Sequence, residues 1–273
     1  MNHYDSNETP ITIDANRFAS DISVTGTLKN MLCQGFDEKN GLCEEIDNSL
    51  DWGSLQIKIT LNTTRNLYVH ADNGVGMSED KLADSHVLNK RSESSVSKFG
   101  RYGIGGVQSK VCITRLKSNT TTISKQIGDK SISQININWP KCCRNDQYRN
   151  IASPASSANE NNYAKYVRDE FITEQGTVQM YECHPNAFKI ISEGLSSTQI
   201  GTSWVYDLEV KYKEQLSAGV SIKVDIDGCV KSLIPIDPLR MVTTPEKYKR
   251  ATHLELYINH AFDNIYVKCP TGG

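Results

Sequence analysis

Between Leu42 and Gly106 the chain carries three short patterns in a fixed order. The first is Glu44-Glu45-Ile46-Asp47-Asn48-Ser49-Leu50-Asp51. The second is Asp72-Asn73-Gly74-Val75-Gly76-Met77, and the third is Gly100-Arg101-Tyr102-Gly103-Ile104-Gly105-Gly106. Each makes its own demand on the backbone: a two-faced helix, a strand that ends in a carboxylate and a glycine turn, and a glycine-rich entry into a helix.

Taken as a helix from Leu42 to Trp52, the first pattern puts Leu42, Cys43, Ile46 and Leu50 on one face. Glu44, Asn48 and Asp51 gather on the opposite face, so one side can bury while the other presents two carboxylates and an amide. An ordinary amphipathic helix with a solvated acidic face has the same pattern. In the second pattern, Leu67, Val69 and Ala71 alternate with Tyr68 and His70 along a strand that ends at Asp72. A carboxylate there can accept a hydrogen bond from an exocyclic amine. Gly74 and Gly76 allow positive φ and leave bare backbone for a flat ligand; the plain alternative is a turn, for which Asp-Asn-Gly is good chemistry. The third pattern runs into the helix-compatible stretch Gly105 to Val111. Such an entry aims backbone N–H groups and the positive end of a helix dipole at an anion. Lys90, Arg91, Lys98 and Arg101 are near enough in sequence to add charge. The glycine spacing fits neither a Walker P-loop nor a dinucleotide fingerprint, and a flexible loop is the plain alternative.

In this order and spacing the three patterns resemble the GHKL superfamily, which comprises DNA gyrase, ATP-dependent heat-shock chaperones, histidine kinases and MutL; the part from Val220 to Leu239 is most similar to MORC-type ATPases. The resemblance implies an α/β fold of the Bergerat type, a mixed, mainly antiparallel sheet with helices on one face. It implies ATP and Mg²⁺ as ligands. Residue by residue, it makes Glu44 the base that activates water and Asn48 the Mg²⁺ ligand. Asp72 becomes the adenine-reading carboxylate, with Gly74, Gly76 and Met77 beside the base and Asp51 on the ligand side of the helix. Gly100, Tyr102, Gly103, Ile104 and Gly105 become the lid around the phosphates, with Lys90 as a lid lysine. Thr202, in Gly201-Thr202, is matched to a residue that approaches the phosphates at the start of a closing strand. Glu45 competes with Glu44 for the role of base, and the i to i+4 spacing to Asn48 favours Glu44.

The resemblance further implies an ATP-binding domain over residues 1–211 and the start of a transducer-like domain over residues 212–273. Lys247 and Lys249 are candidates for the transducer lysine. It implies hydrolysis, a lid ordered by ATP, a homodimer formed on ATP binding, and a mechanical role on DNA, chromatin or protein clients. Two alternatives stand beside it: a non-hydrolysing nucleotide-gated module, and a histidine-kinase-type phosphotransferase. Against the second, no histidine lies in a recognisable phospho-acceptor helix.

The remaining sequence bounds the picture. A net charge of −2 gives no global attraction to nucleic acid. No apolar run is long enough for a membrane span, and the polar start lacks a signal-peptide core. Cysteines in no CxxC spacing suggest free thiols in a reducing, intracellular compartment, cytoplasmic or nuclear. Short strands are expected at Ile11–Ile13, Leu55–Leu61, Val111–Leu116, Thr121–Ile127, Ile132–Trp139, Val178–Glu182 and Leu254–Ile258. A hairpin is expected about Asp227-Gly228, and helices over Leu28–Phe36, Ser78–Asp84 and Tyr163–Phe171. Val87–Gly100 reads as the lid, and Lys141–Asn162 as a mobile insert. The last residues, Cys269 to Gly273, close no element, which suggests a chain cut short or an abbreviated transducer.

Overall fold

A computed structural model describes residues 23–33, 35–87, 105–148, 151–236, 255–259 and 264–268, the last two ranges by their backbone only. Its centre is an eight-stranded sheet. The strands are β1 (Gln56–Asn62), β2 (Leu67–Asp72), β3 (Asn119–Lys125), β4 (Ser133–Asn138), β5 (Ser153–Pro154), β6 (Gly176–Glu182), β7 (Ser221–Ile226) and β8 (Cys229–Ser232), and the spatial order is β5-β4-β3-β6-β2-β1-β7-β8. Every pairing is antiparallel except β1 with β7, where Ile57 stands opposite Ile222 and Ile59 opposite Val224. The expected mixed, mainly antiparallel sheet is therefore present. β9 (Glu255–Asn259) and β10 (Asn264–Lys268) form a separate antiparallel pair.

Strand β2 explains the sheet's two faces. Leu67, Val69 and Ala71 point to one side, and Tyr68, His70 and Asp72 to the other; all six are buried. On the side of Tyr68 lie the helices α2 (Glu38–Asp51), α4 (Gly105–Thr114), α8 (Pro185–Ser196), α9 (Trp204–Lys211) and α10 (Lys213–Ser217). Leu42, Ile46, Ile113, Phe188, Ile191, Leu208 and Leu216 from these helices close on Ile57, Ile59, Tyr68, Tyr181 and Ile222 of the sheet. A neighbouring cluster joins α1 (Val24–Cys33), α3 (Glu79–Asp84) and α5 (Trp139–Asn145) to α4 and β4 through Leu28, Leu82, Val107, Val111, Ile135 and Trp139. The layer is not wholly one-sided. Helix α6 (Ser157–Tyr163), a π-helical segment (Ala164–Arg168) and the turn α7 (Asp169–Phe171) follow one another, and Tyr163 and Val167 cover Leu67, Val69, Ile123 and Val178 on the opposite face.

Several elements depart from the sequence expectation. Val111–Thr114 completes α4, and Arg115 and Leu116 turn out of it, instead of forming a strand. Its β-branched run reads as β, but Ile113 enters one core and Val107 and Val111 the other. Ser109, Lys110 and Thr114 of the same helix are buried as well, so burial follows no single apolar face and the 3.6-residue signature is lost. Trp204–Lys211 is likewise helical; Ser203 caps it by accepting from Tyr206 N at 3.3 Å. The stretch expected to be a mobile insert holds the end of α5, then β5 and α6. Asn138 and Ser156 cap the two helices, and Gln134 Oε1 accepts from Ser156 N at 3.1 Å. Ser78 precedes α3 but makes no side-chain cap bond. The pattern change near Tyr212 is a passage from helix to strand within one sheet, since β7 and β8 extend it beyond β1. The expected strand Ile11–Ile13 lies outside the described residues.

Candidate functional site

Asp72 ends β2 on the helix-facing side, 6% exposed. Its Oδ1 accepts from Ser54 Oγ at 3.0 Å and from Gly74 N at 2.8 Å; its Oδ2 accepts from Ser49 Oγ at 3.0 Å. Burial pushes its pKa up, while His70 and the three donors pull it back. The next residue fixes the strand end: Asn73 Oδ1 accepts from Leu55 N at 2.9 Å and Gln56 N at 2.8 Å, tying the turn to the start of β1. The two glycines are required by close packing as much as by any ligand. A Cβ on Gly74 would stand 2.6 Å from Ser54 Oγ, and one on Gly76, at φ +67°, would stand 1.9 Å from the Lys125 carbonyl oxygen. Met77 N donates to Ser124 Oγ at 2.9 Å, and its side chain packs beside the second core.

Helix α2 brings the first pattern to this strand end. Asp37 caps it by accepting from Asn40 N at 2.8 Å. Its buried stripe is Leu42, Glu45, Ile46 and Ser49, with Glu44 and Asn48 half-buried and Asp51 exposed. The stripe is thus more polar than the apolar residues alone foretell. Ser49 reaches Asp72, and one turn away the same helix meets α4. A Cβ on Gly105 would fall 1.7 Å from Glu44 Oε1, and one on Gly106 would come within 3.9 Å of Asn48 Nδ2. Glu44 and Asn48 therefore lie against Gly105 and Gly106 at the described start of α4. Burial, then the charges of Glu45, Asp47 and Asp51, raise the Glu44 pKa to about 7, with Lys211 opposing.

Glu45 lies on the other side of the helix in a different setting. It is fully buried and accepts from Ser109 Oγ, Gln179 Nε2 and, at 2.6 Å, Tyr181 OH; Lys110 Nζ stands 3.7 Å away. Burial opposes its ionisation, but Lys110, His70 and these donors outweigh it and hold the pKa below the ordinary value. Lys110, 4% exposed, also donates to Gly106 O at 2.9 Å; burial lowers its pKa and Glu45 opposes that. Glu45 is thereby tied into a packed network joining α2, α4 and β6, whereas Glu44 faces the α4 N-terminus.

Thus Glu44, Asn48, Asp72, Gly74, Gly76, Met77 and Gly105 are drawn around α2 and the end of β2. Asp51 lies on the same helix at its exposed end. Thr202 is in the turn between α8 and α9, where its hydroxyl is bonded to Ser197 Oγ at 2.7 Å and Gln199 O at 3.2 Å. Lys90, Gly100, Tyr102, Gly103 and Ile104 lie outside the described residues, as do Lys247 and Lys249. Sequence reasoning missed Ser49, Ser54, His70, Lys110 and Thr177. The last stands opposite Asp72 in the β2–β6 register, its hydroxyl 2.8 Å from Ser124 Oγ. A signal existed for one of them: a histidine at an inward-facing strand position two residues before Asp72.

Residues 38–169 match the model of a family described as Histidine kinase-, DNA gyrase B-, and HSP90-like ATPase. The match begins at the first residue of α2 and takes in all three patterns. It supports the GHKL superfamily, whose Bergerat fold is consistent with the eight-stranded, mostly antiparallel sheet and its helices. It likewise supports binding of ATP, which such domains usually take with Mg²⁺. As a group these domains are ATPases, with kinases and non-hydrolysing members among them. A search of curated proteins found no match. Among the described residues no helix is long and apolar enough to cross a membrane.

Proposed function

We propose that the chain binds ATP with Mg²⁺ and hydrolyses it. The observation that supports this is the convergence on α2: Ser49 joins it to Asp72, while Glu44 and Asn48 meet the N-terminus of α4. In this reading Asp72 accepts from the exocyclic amine of adenine, and the leading N–H groups of α4 with the upstream lid hold phosphate oxygens. Glu44 takes a proton from the attacking water, for which a pKa near neutrality is suited. Asp51, Met77 and Gly105 border the same space. Thr202 is left out of the set, because its hydroxyl bonds stay within its own turn.

The donor set fits Mg²⁺. Among the described residues no group of three His, Cys, Asp or Glu side chains forms a protein cage. Mg²⁺ keeps several waters and is held by few protein oxygens plus substrate phosphates, so the Asn48 amide oxygen, in a neighbourhood made negative by Glu44, Asp47 and Asp51, would suffice. When bound, the ion would neutralise charge on the phosphate oxygens.

The finer reading adds ATP-driven lid ordering and dimerisation, a MORC-type arrangement, and mechanical work on DNA, chromatin or protein clients; these rest on the family resemblance. We place the start of any transducer-like unit beyond Ser232, because β7 and β8 belong to the sheet. The test is Mg²⁺-dependent phosphate release and ATP binding in wild type, Glu44→Ala and Asp72→Asn. The expected pattern is loss of binding in Asp72→Asn, and retained binding without turnover in Glu44→Ala. Binding without hydrolysis in wild type would establish the gated-module alternative, and a wild type that binds no adenine nucleotide would end the proposal.

A further inference from the structure

The polar chain that reaches Asp72 continues inward. Ser49 Oγ lies 3.0 Å from Asp72 Oδ2 and 2.8 Å from His70 Nε2, and Tyr68 OH stands 3.4 Å from His70 Nδ1. His70 and Tyr68 have no exposed surface, and Ser49 has 4%. A hydroxyl owns one proton and an ionised carboxylate only accepts. Ser49 therefore gives its proton to Asp72, and the contact with His70 must be filled from the histidine, whose Nε2 carries the hydrogen. Burial lowers the ring's pKa, against the nearby charges of Glu45 and Asp72 and with Lys110 acting in the same sense, which favours the neutral form. Nδ1 is then bare and accepts from Tyr68. The chain has one direction, from Tyr68 through His70 and Ser49 to Asp72.

That direction sets what Asp72 offers a ligand. A carboxylate has about four acceptor positions. Ser54 and Gly74 take two on Oδ1, and Ser49 takes one on Oδ2. One position on Oδ2 is left, and it accepts. We infer that His70 is a positioning residue which, through Ser49, keeps Asp72 a pure acceptor and so makes the site select a purine with a 6-amino group over one with a 6-oxo group. The inference rests on the reading of Asp72 as the base-recognising carboxylate. Without a donor at position 70, the Ser49 hydroxyl is free to turn to the carbonyl one helical turn back, as serines within helices do. A buried carboxyl that has lost a donor takes up a proton more readily, and a protonated Asp72 offers a hydrogen to a 6-oxo group.

The experiment is calorimetric titration of the whole chain with ADP and with inosine diphosphate, which differ at position 6, amine against oxo, and at the adjacent N1, a bare acceptor in adenine and an N–H donor in hypoxanthine. Wild type, His70→Leu, His70→Gln, Ser49→Ala and Asp72→Asn are compared. Wild type should prefer ADP. The leucine variant, which cannot donate, should lose about tenfold of that preference, the scale of one hydrogen bond to a charged group. The glutamine variant, whose amide N–H replaces Nε2–H, should keep it within about threefold. A leucine variant that weakens both ligands equally overturns the inference, since a packing role alone would do that. If the leucine variant does not fold, Ser49→Ala carries the same comparison, and an undiminished preference there overturns it as well. Failure of the underlying reading looks different: wild type then binds neither ligand, or Asp72→Asn binds ADP as wild type does, and the inference falls with it.

Discussion

Asp72 and Glu44 are both carboxylates held at α2, and their surroundings differ. Asp72 is enclosed by three donors, one of them a backbone N–H, and its neighbours are positioned by further bonds. Glu44 is half-buried beside Glu45, Asp47 and Asp51 and rests against the start of α4. One end of the site is finished before a ligand arrives. The other gathers several carboxylates, of which Asp47 is paired with Lys211 at 3.0 Å, and a bound cation would offset part of their charge. Pre-organisation at the first end favours recognition, and raised energy at the second favours a proton-accepting step.

Two glycines give the largest expected contrast. An alanine at Gly76 would need a left-handed backbone and would meet the Lys125 carbonyl, which is sheet backbone and cannot yield. We expect Gly76→Ala to lower the melting temperature by about 10 °C or more, the scale of a combined steric and backbone penalty. Among the described residues, an alanine at Gly105 would meet the Glu44 side chain from Cγ to Oε1, which can swing away. Gly105→Ala should melt within a few degrees of wild type, about the effect of a tolerated substitution, yet lose most phosphate release because Glu44 is displaced. Equal melting losses in the two variants would break the comparison.

The buried pair beneath Glu44 sharpens it next. Among the described residues, removing Glu45 leaves Lys110 buried with the Gly106 carbonyl as its hydrogen-bond partner, whereas removing Lys110 leaves Glu45 with Ser109, Gln179 and Tyr181. Glu45→Leu should therefore cost about 3–5 kcal/mol in denaturant unfolding, the usual penalty for an orphaned buried charge. Lys110→Met should cost about 1–3 kcal/mol, because the remaining carboxylate keeps its hydrogen bonds. The reverse order would mean that the lysine, not the acid, is the better satisfied partner.

These cases also mark what was legible in the sequence. The alternation of β1, β2, β6 and β7 shows in the residues because each face of those strands has its own chemistry. That Glu44 and Asn48 share a helix face and Asp72 ends a strand is local enough to read from spacing; their proposed roles come from the family resemblance. Helix α4 was misread because burial on both sides erased its period. The partners of Asp72 were invisible for another reason. Ser49 sits in α2, Ser54 in the turn that follows it and Gly74 beyond the end of β2, and only the seating of α2 against that strand end brings them together.

Acid–base behaviour gives the next effect. A base must be deprotonated to act, and the Glu44 pKa lies at about 7. The turnover rate over KM for ATP should rise about tenfold per pH unit below pH 7 and level off above it, the limb of a single essential base. A flat profile from pH 5.5 to 8 would remove Glu44 from that role.

The smallest effect concerns stability alone and needs no ligand. A glutamate raised from about 4.5 to about 7 on folding binds its proton more tightly in the native state. Its favourable contribution is whole below about pH 4.5 and is lost as pH rises through 7. Glutamine keeps the size and polarity of the side chain but has no proton to lose. Glu44→Gln should thus match wild type near pH 4.5 and melt about 2–4 °C higher at pH 8, a small gain because water still screens the half-exposed group. The sign separates two pictures of this end of the site. A stabilising glutamine says that the native fold holds Glu44 at an energetic cost that folding alone does not repay. A destabilising one says that the carboxylate is already satisfied, as Asp72 is, and the contrast between the two ends disappears.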